Sequence, residues 1–270
     1  MHPLAEELRQ RYERKGLVRG QTALPLHRAC PNAAACWAGL TPAQAPADDY
    51  AGLSLPWVGP LYQPGGVLLV GINMNEHGGL TAWDGLIEWA LKDLPRKDRL
   101  FASPTYAGSM LHQRGGWYAA VVLKHLGVED FGDGSPVHEW NRRPTRNAKV
   151  IKAWEHIAAT NQIKCSPLGG KRSRPTQAMW RNCAPLLLRD EITVLRPRVL
   201  LVLGADDNLT GLGSLGTKEA ATVRRGIVRG VLHAPEGSFP IVALLHPAGY
   251  GGTSRGLVSR LDEALTERPL

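Results

Sequence analysis

Four short, continuously apolar segments limit the fold of this chain more than any other feature. They span residues 67–72 (VLLVGI), 157–163 (IAATNQI), 199–203 (VLLVL) and 241–245 (IVALL). Apolar runs of this length are typical of strands that are buried on both faces of a sheet. Helical patterns alternate with them at residues 82–94, 114–126, 176–195 and 253–267. Strands and helices in alternation predict a mostly parallel sheet with helices on both faces.

Length and composition are those of an ordinary globular protein. The 270 residues are 43% apolar and 21% charged, without an internal repeat or a long linker, so we expect a single domain over residues 1–270. No uncharged apolar run approaches the roughly 18 residues of a membrane span. The N-terminus is charged, so neither membrane insertion nor secretion is expected. Four cysteines are too few for a disulfide scaffold, which predicts a reducing, cytoplasmic environment. We also expect the chain to be a monomer.

Basic side chains are concentrated in one segment. The chain has 32 Lys and Arg against 24 Asp and Glu, a net charge of +8. Residues 142–181 contain ten of the basic side chains and a single acid, Glu155. A solvated basic face and a surface that contacts nucleic-acid phosphates are both consistent with this excess.

Polar side chains lie at or near the ends of three predicted strands. Asn73 follows the first strand, Asn161 lies in the second, and His246 follows the fourth. The ligand crevice of a parallel α/β sheet lies at the carboxyl ends of its strands. We therefore expect the three side chains to converge on one pocket. Each of them alone has a structural reading as well, since Asn often caps turns or helices.

The four cysteines form two pairs in sequence. Five residues separate Cys30 from Cys36, and seventeen separate Cys165 from Cys183. Four thiolates suit zinc or an iron-sulfur cluster. The spacing by itself favours zinc over a cluster, and it is also consistent with four unrelated buried thiols.

Several motifs in fixed order resemble those of one enzyme family. Residues 160–204 begin T-N-Q-I-K-C, continue with a basic loop rich in Gly and Pro, and contain a second cysteine before a strand that ends L-G. An N-terminal pair of cysteines, V-G-I-N at residues 70–73 and H-P-A at residues 246–248 complete the pattern. Together they resemble the iron-sulfur uracil-DNA glycosylases, family 4 and its relatives. The similarity covers most of residues 30–252.

The resemblance implies a three-layer α/β/α fold with a central four-stranded parallel sheet, and it implies roles for the polar residues. Breaking an N-glycosidic bond leaves a cation-like sugar and an anionic base, so the site must stabilise the base and position a water. Asn73 would hold that water, His246 would donate a hydrogen bond to the departing base, and Asn161 would read the edge of the base. Gly71 and Ile72 would line the base pocket.

The resemblance also implies a cofactor and a DNA-binding surface. Cys30, Cys36, Cys165 and Cys183 would hold a 4Fe-4S cluster, with zinc as the second choice. A base inside a duplex must be flipped out before it can be excised. The residues that would contact DNA are Lys171, Arg172, Arg174, Tyr250 and Arg255. One relative captures its product covalently through a His in the basic loop. This chain has no such His, so covalent capture is not expected.

The chain departs from the family pattern in four places, of which the first is the spacing between Cys30 and Cys36, usually tighter in the family. Its first motif reads G-I-N-M-N where the family commonly has G-E-A-P-G, so the carboxylate that handles the water is missing. Leu111 stands where an aromatic residue normally stacks on uracil, with Phe101, Tyr106 and Trp117 as candidates to replace it. Residues 128–155 form an insertion, which we expect to begin on the pocket side.

These departures predict an altered substrate. We expect a non-standard pyrimidine, either uracil or a modified cytosine such as the glucosylated hydroxymethylcytosine of phage DNA, which would make this an enzyme of antiviral defence. The alternative is a non-catalytic DNA-binding module of the same fold. Residues 211–216 satisfy G-x-G-x-x-G, but the preceding strand ends at Leu203, too early for a dinucleotide site. We expect a flexible loop there and no nucleotide cofactor.

Overall fold

The computed structural model describes residues 2–19, 22–24, 29–40, 56–71, 107–141, 143–164, 175–244 and 254–270. The strands are β1 (Val18–Arg19), β2 (Thr22–Ala23), β3 (Trp57–Val58), β4 (Val67–Gly71), β5 (Ala158–Asn161), β6 (Val199–Leu203), β7 (Thr217–Arg224), β8 (Ile227–Ala234) and β9 (Gly237–Leu244). The helices are α1 (Pro3–Arg14), α2 (Ala33–Trp37), α3 (Ala107–His125), α4 (Arg143–His156), α5 (Gln177–Cys183), α6 (Arg189–Leu195), α7 (Ala205–Leu212) and α8 (Ser254–Glu267). None of the helices in these ranges has the length and apolar character that a membrane span needs.

Seven strands form one mixed sheet, in the order β3-β5-β4-β6-β9-β8-β7. The four central strands, β5, β4, β6 and β9, are parallel to one another. This confirms the α/β fold with four parallel strands at its centre. The sheet is wider than predicted, because β3 adds an antiparallel edge strand beside β5. At the other edge, β8 and β7 extend the sheet with two antiparallel pairings.

Both faces of the parallel strands are buried under helices. Val67 and Leu69 of β4 belong to a core that includes side chains of α3, α4 and α8. Leu68 and Val70 point to the opposite face, into a core with side chains of α6 and α7. Because side chains alternate along a strand, a fully apolar strand supplies both cores at once. The result is the predicted arrangement of helices on both sides of the sheet.

The predicted helix over residues 176–195 is divided into three parts. α5 ends at Cys183, a π-helical turn covers Ala184–Leu188, and α6 begins at Arg189. Pro185 lies in this π turn and has no N–H to donate to the preceding turn, so the regular ladder of hydrogen bonds is interrupted there. The helix predicted at residues 82–94 lies outside the described residues.

Of the loop predicted at residues 211–216, only residues 213–216 lie outside helix and strand. α7 extends to Leu212, a short turn follows, and β7 begins at Thr217. The glycine-rich motif therefore ends a helix, whereas a dinucleotide site needs such a turn at the start of one. β7 could not be predicted from the sequence, since its first six residues are exposed and do not alternate between polar and apolar. Backbone pairing with β8 holds this strand in place.

Residues 128–155 pack into the core and do not form a loop beside the pocket. Phe131, Trp140 and Trp154 are buried against α3 and its neighbours. Asp130 Oδ2 lies 2.6 Å from Nε2 of His156, the last residue of α4 before β5 begins. The segment thus begins near the amino ends of the parallel strands, and the expectation that it begins on the pocket side is wrong.

Candidate nucleobase site

The carboxyl ends of the parallel strands lie at one edge of the sheet. β4 ends there at Gly71 and β5 at Asn161, and β9 runs in the same direction. Because β4 lies between β5 and β6 in the sheet, the strand order reverses at β4. Ligands of open α/β sheets bind at such a switch point. Ile72, Asn73 and His246 come one or two residues after β4 and β9 in sequence and lie outside the described residues.

Asn161 and Gly71 form the described part of the predicted base pocket. They are partners in the β4–β5 pair. A Cβ atom at position 71 would lie 2.4 Å from Asn161 Oδ1, so only glycine leaves room for this carboxamide. Asn161 is buried, and within the described part of the chain neither Oδ1 nor Nδ2 has a hydrogen-bond partner. A ligand that offers one donor and one acceptor would satisfy both atoms.

A buried ion pair fixes the turn that follows Asn161. Lys164 Nζ lies 2.5 Å from Glu191 Oε1, and neither side chain is exposed to solvent. Lys164 also donates to the Thr160 hydroxyl, and Tyr12 donates to the Glu191 carboxylate. Burial, with the Glu191 charge in second place, raises the pKa of Tyr12 well above its usual value. This network joins α1, β5 and α6. Sequence patterns did not predict it, because Tyr12 and Glu191 lie 179 positions apart in the chain.

One comparison with known proteins bears on this site. A family model described as the Uracil DNA glycosylase superfamily matches residues 43–256, most of the chain. The chain belongs to the uracil-DNA glycosylase superfamily. Members of this superfamily are DNA N-glycosylases, enzymes of base excision, so their partner is DNA. The matched span includes Gly71 and Asn161. It also includes every member of the Lys164 network except Tyr12. A search of curated proteins found no match.

Three of the four predicted thiolate ligands line one cavity of this superfamily member. Cys36 lies in α2, Cys183 ends α5, and both share the lining with Cys30. Asn182 Nδ2 donates to Cys36 Sγ over 3.6 Å. Thr176 Oγ1 donates to the Cys36 carbonyl over 3.0 Å. The segment that carries α2 is thus attached to α5 at the thiols.

Cys30 and Cys36 favour the neutral thiol form unless a cation is bound. Burial raises the pKa of Cys30 and of Cys36, and the charge on Cys183 acts in the same direction. A coordinated metal would deprotonate such thiols. Cys165 lies outside the described residues. Among the residues that are described, no group of three or more His, Cys, Asp or Glu could hold a single metal ion.

The predicted DNA contacts fall mostly outside the described ranges. Lys171, Arg172, Arg174 and Tyr250 all lie there. Arg255 is the second residue of α8. The basic loop is followed directly by Pro175, which is described and begins the approach to α5.

The prediction that Trp117 could stack on the base in place of Leu111 is wrong. Trp117 is only 2% exposed, because α3 places it in the core between the sheet and α4. The guanidinium of Arg146 lies over its ring, 5.6 Å from the ring centroid. Phe101 and Tyr106 lie outside the described residues, and Leu111 is part of α3.

Proposed function

We propose that this chain is a DNA glycosylase that flips out a non-standard pyrimidine and hydrolyses its N-glycosidic bond, leaving an abasic site. The observation that carries the proposal is the buried Asn161 carboxamide, which has no hydrogen-bond partner among the residues that the structure describes. A pyrimidine edge offers neighbouring donor and acceptor groups, which one carboxamide can pair with. Membership of the superfamily supports the same class of reaction.

In the proposed reaction, the bond between the base nitrogen and C1′ of the deoxyribose breaks, and the base leaves as an anion. His246 donates a hydrogen bond to a carbonyl oxygen of that base. Asn73 positions the water whose oxygen then bonds to C1′, and the proton that this water loses balances the proton that the base takes up. Because departure of the base precedes attack by water, positioning and electrostatic stabilisation matter more than proton abstraction. A carboxamide at position 73 is therefore sufficient.

For the cofactor, we propose a 4Fe-4S cluster held by Cys30, Cys36, Cys165 and Cys183. The shared cavity of three thiols supports this donor set. The choice of a cluster over zinc rests on the motifs that resemble the iron-sulfur glycosylases. When bound, the cluster would act structurally, by attaching the N-terminal segment to α5 and to the basic loop.

The base that we propose is uracil or a modified cytosine, such as the glucosylated hydroxymethylcytosine of phage DNA. The missing carboxylate in G-I-N-M-N and the aliphatic Leu111 support a substrate other than plain uracil. Residues 128–155 do not add support, because they begin near the amino ends of the strands. Excision of a phage base would make this an enzyme of antiviral defence.

An abasic-site assay tests the proposed activity. Purified protein is incubated with duplexes that contain uracil, hydroxymethylcytosine or its glucosylated form, and alkali then cleaves abasic sites. We expect cleavage of at least one duplex. Asn161→Ala and His246→Ala should each lower kcat/KM by about 100-fold or more, since removing one oriented donor has this effect in other enzymes. Glu219→Gln, an exposed change in β7, is the control, and full activity of both site variants would contradict the proposed roles.

A second candidate function is a DNA-binding module without catalysis. The missing carboxylate of the first motif and the basic segment 142–181 favour it. It predicts tight DNA binding with no abasic sites on any of the three duplexes. The same assay, combined with a binding measurement, separates it from the glycosylase.

A further inference from the structure

A cleft of about 680 Å³ lies between α5 and the end of α7. Its described lining includes Gln177, Trp180 and Arg181 from α5, and Thr210 and Ser214 from the end of α7 and the turn after it. Sites for small ligands have volumes of about 300–1,000 Å³, so this α5–α7 cleft can hold a group the size of a nucleotide. It includes the glycine-rich motif that the proposed chemistry leaves unused.

Gln162, the residue directly after Asn161, packs behind the wall of the α5–α7 cleft. A Cβ atom at Gly211 would lie 2.1 Å from Gln162 Nε2 and 2.4 Å from Trp180 Cε3. Glycine at this position therefore lets the Gln162 amide and the Trp180 ring meet at the cleft. Gln162 is fully buried, and neither amide atom has a hydrogen-bond partner within the described residues. Adjacent residues thus present one unpartnered carboxamide in the base pocket and another behind the cleft.

The charge of the cleft suits an anionic ligand. Arg181 is exposed and forms no ion pair with any described residue. No carboxylate belongs to the described lining. In sequence, Lys171, Arg172 and Arg174 lie immediately before Pro175, which lines the cleft.

We propose that the α5–α7 cleft binds the nucleotide next to the extruded one, with its base stacked on Trp180 and its phosphate paired with Arg181. An aromatic face for stacking and a cation for the backbone are the combination that single-stranded nucleic acid sites use. Gln162 would support the Gly211 and Trp180 wall of the cleft from behind, while Asn161 reads the extruded base. The assignment rests on the proposed function and makes excision sensitive to the sequence beside the target.

Binding to abasic DNA tests the cleft without any chemistry. The probes are fluorescent oligonucleotides that contain a tetrahydrofuran abasic analogue. The full probe has nucleotides on both sides of the analogue. Two truncated probes lack the nucleotides on its 5′ side or on its 3′ side. Wild-type protein should lose affinity for one of the two truncated probes. Trp180→Ala should bind the full probe about 5- to 100-fold more weakly, as expected for one lost stacking contact. Trp180→Ala should also bind the full and the truncated probes with equal affinity. Trp180→Phe should restore most of the affinity for the full probe and most of the difference between the probes.

Charge reversal supplies a second test that does not disturb packing. Arg181→Glu should weaken binding and lower the slope of log affinity against log salt by about one or more, because a phosphate contact is lost. Arg198→Glu is the matched control, since Arg198 is exposed and directly precedes the amino end of β6, far from the cleft.

The outcomes separate this proposal from the function on which it rests. If Trp180→Ala and Arg181→Glu both bind the full probe as the wild type does, the cleft assignment is overturned while excision can stand. If Trp180→Ala impairs excision of a glucosylated base alone and leaves probe binding unchanged, the cleft holds the sugar of the base and the assignment is also overturned. If no duplex is excised but the probe effects appear, the cleft assignment holds and the glycosylase proposal fails.

Discussion

Single residues at the carboxyl edge of the sheet are constrained mainly by what their neighbours require. Gly71 has no side chain because the Asn161 carboxamide occupies that space. Lys164 can lie buried because the Glu191 carboxylate pairs with it. Neither constraint concerns the residue's own reactivity. The first limits where the Asn161 carboxamide can point, and the second keeps the chain just after Asn161 buried. One substitution tests each constraint.

Gly71→Ala should reduce excision sharply while the protein stays folded. The new methyl group would lie 2.4 Å from Asn161 Oδ1 and would push the carboxamide away from the base. Misplacement by about 1 Å can cost about 100-fold in rate, and we expect a fall of that order in kcat/KM. Gly256→Ala is the control, because the nearest atom to its Cβ is Arg260 Nη1 at 3.5 Å. Equal activity of the two variants would contradict the steric argument.

Lys164→Met should destabilise the fold, because it leaves the Glu191 carboxylate buried without its cation. Breaking a buried pair costs about 3–5 kcal/mol, which urea denaturation would measure as a lower free energy of unfolding. Replacing both partners, in Lys164→Met with Glu191→Leu, should cost less than the single change. A double variant as unstable as the single one would show that packing, and not charge, dominates here.

At the scale of elements, the helices on one face are joined by side chains near their ends. α3 ends with Lys124 and His125, whose nitrogens lie 3.4 Å and 2.8 Å from Asp262 Oδ1 in α8. Burial of Asp262 opposes ionisation, but the hydrogen bond from His125 and the charge of Lys124 outweigh it and hold its pKa below the usual value. The carboxylate therefore stabilises the α3–α8 contact when it is charged.

Asp262→Asn should lower stability at neutral pH and change little in acid. A carboxyl whose pKa is lower in the folded state stabilises the fold above its unfolded pKa of about 3.9. That contribution is lost as the pH falls through the lower, folded value. We expect a loss of about 1 kcal/mol at pH 7 for this partly exposed site. Thermal unfolding from pH 3 to pH 7, with Glu219→Gln as an exposed control, measures it, and a pH-independent difference would contradict the assignment.

For the molecule as a whole, the thiol cavity joins the N-terminal segment to the rest of the fold. α2 carries Cys36, α5 carries Cys183, and these segments meet in a core that also includes Ile163, close to Asn161 in sequence. A cluster at this place would therefore stabilise the segment that follows β5. The match to the superfamily begins at residue 43, after Cys30 and Cys36, so the cluster needs its own test.

Cys183→Ser should abolish iron binding and loosen residues 29–40. Wild-type protein should contain about four irons per chain if a 4Fe-4S cluster is bound, measured by elemental analysis. Loss of the cluster should increase hydrogen exchange at the backbone amides of α2. Asn182→Ala is the matched control, because it removes only the hydrogen bond to Cys36 and should retain iron. One zinc and no iron in the wild type would contradict the cluster.

The amino-acid pattern was enough to predict the central parallel sheet and to single out Asn161 as a candidate base-binding residue. Continuously apolar strands can be buried only between two layers, so the parallel core of β4, β5, β6 and β9 followed from pattern alone. Asn161 stood out because it ends such a strand in a recognisable motif. The edge strands β3 and β7 did not, since β3 has only two residues and β7 is largely exposed.

Which side chains come into contact depends on the three-dimensional fold. It placed Trp117 in the core and Asp130 beside His156, and it brought Gln162 against Gly211 and Trp180. These contacts join residues that are far apart along the chain. Their pairing depends on how helices cross over the sheet, which local patterns of hydrophobicity do not specify.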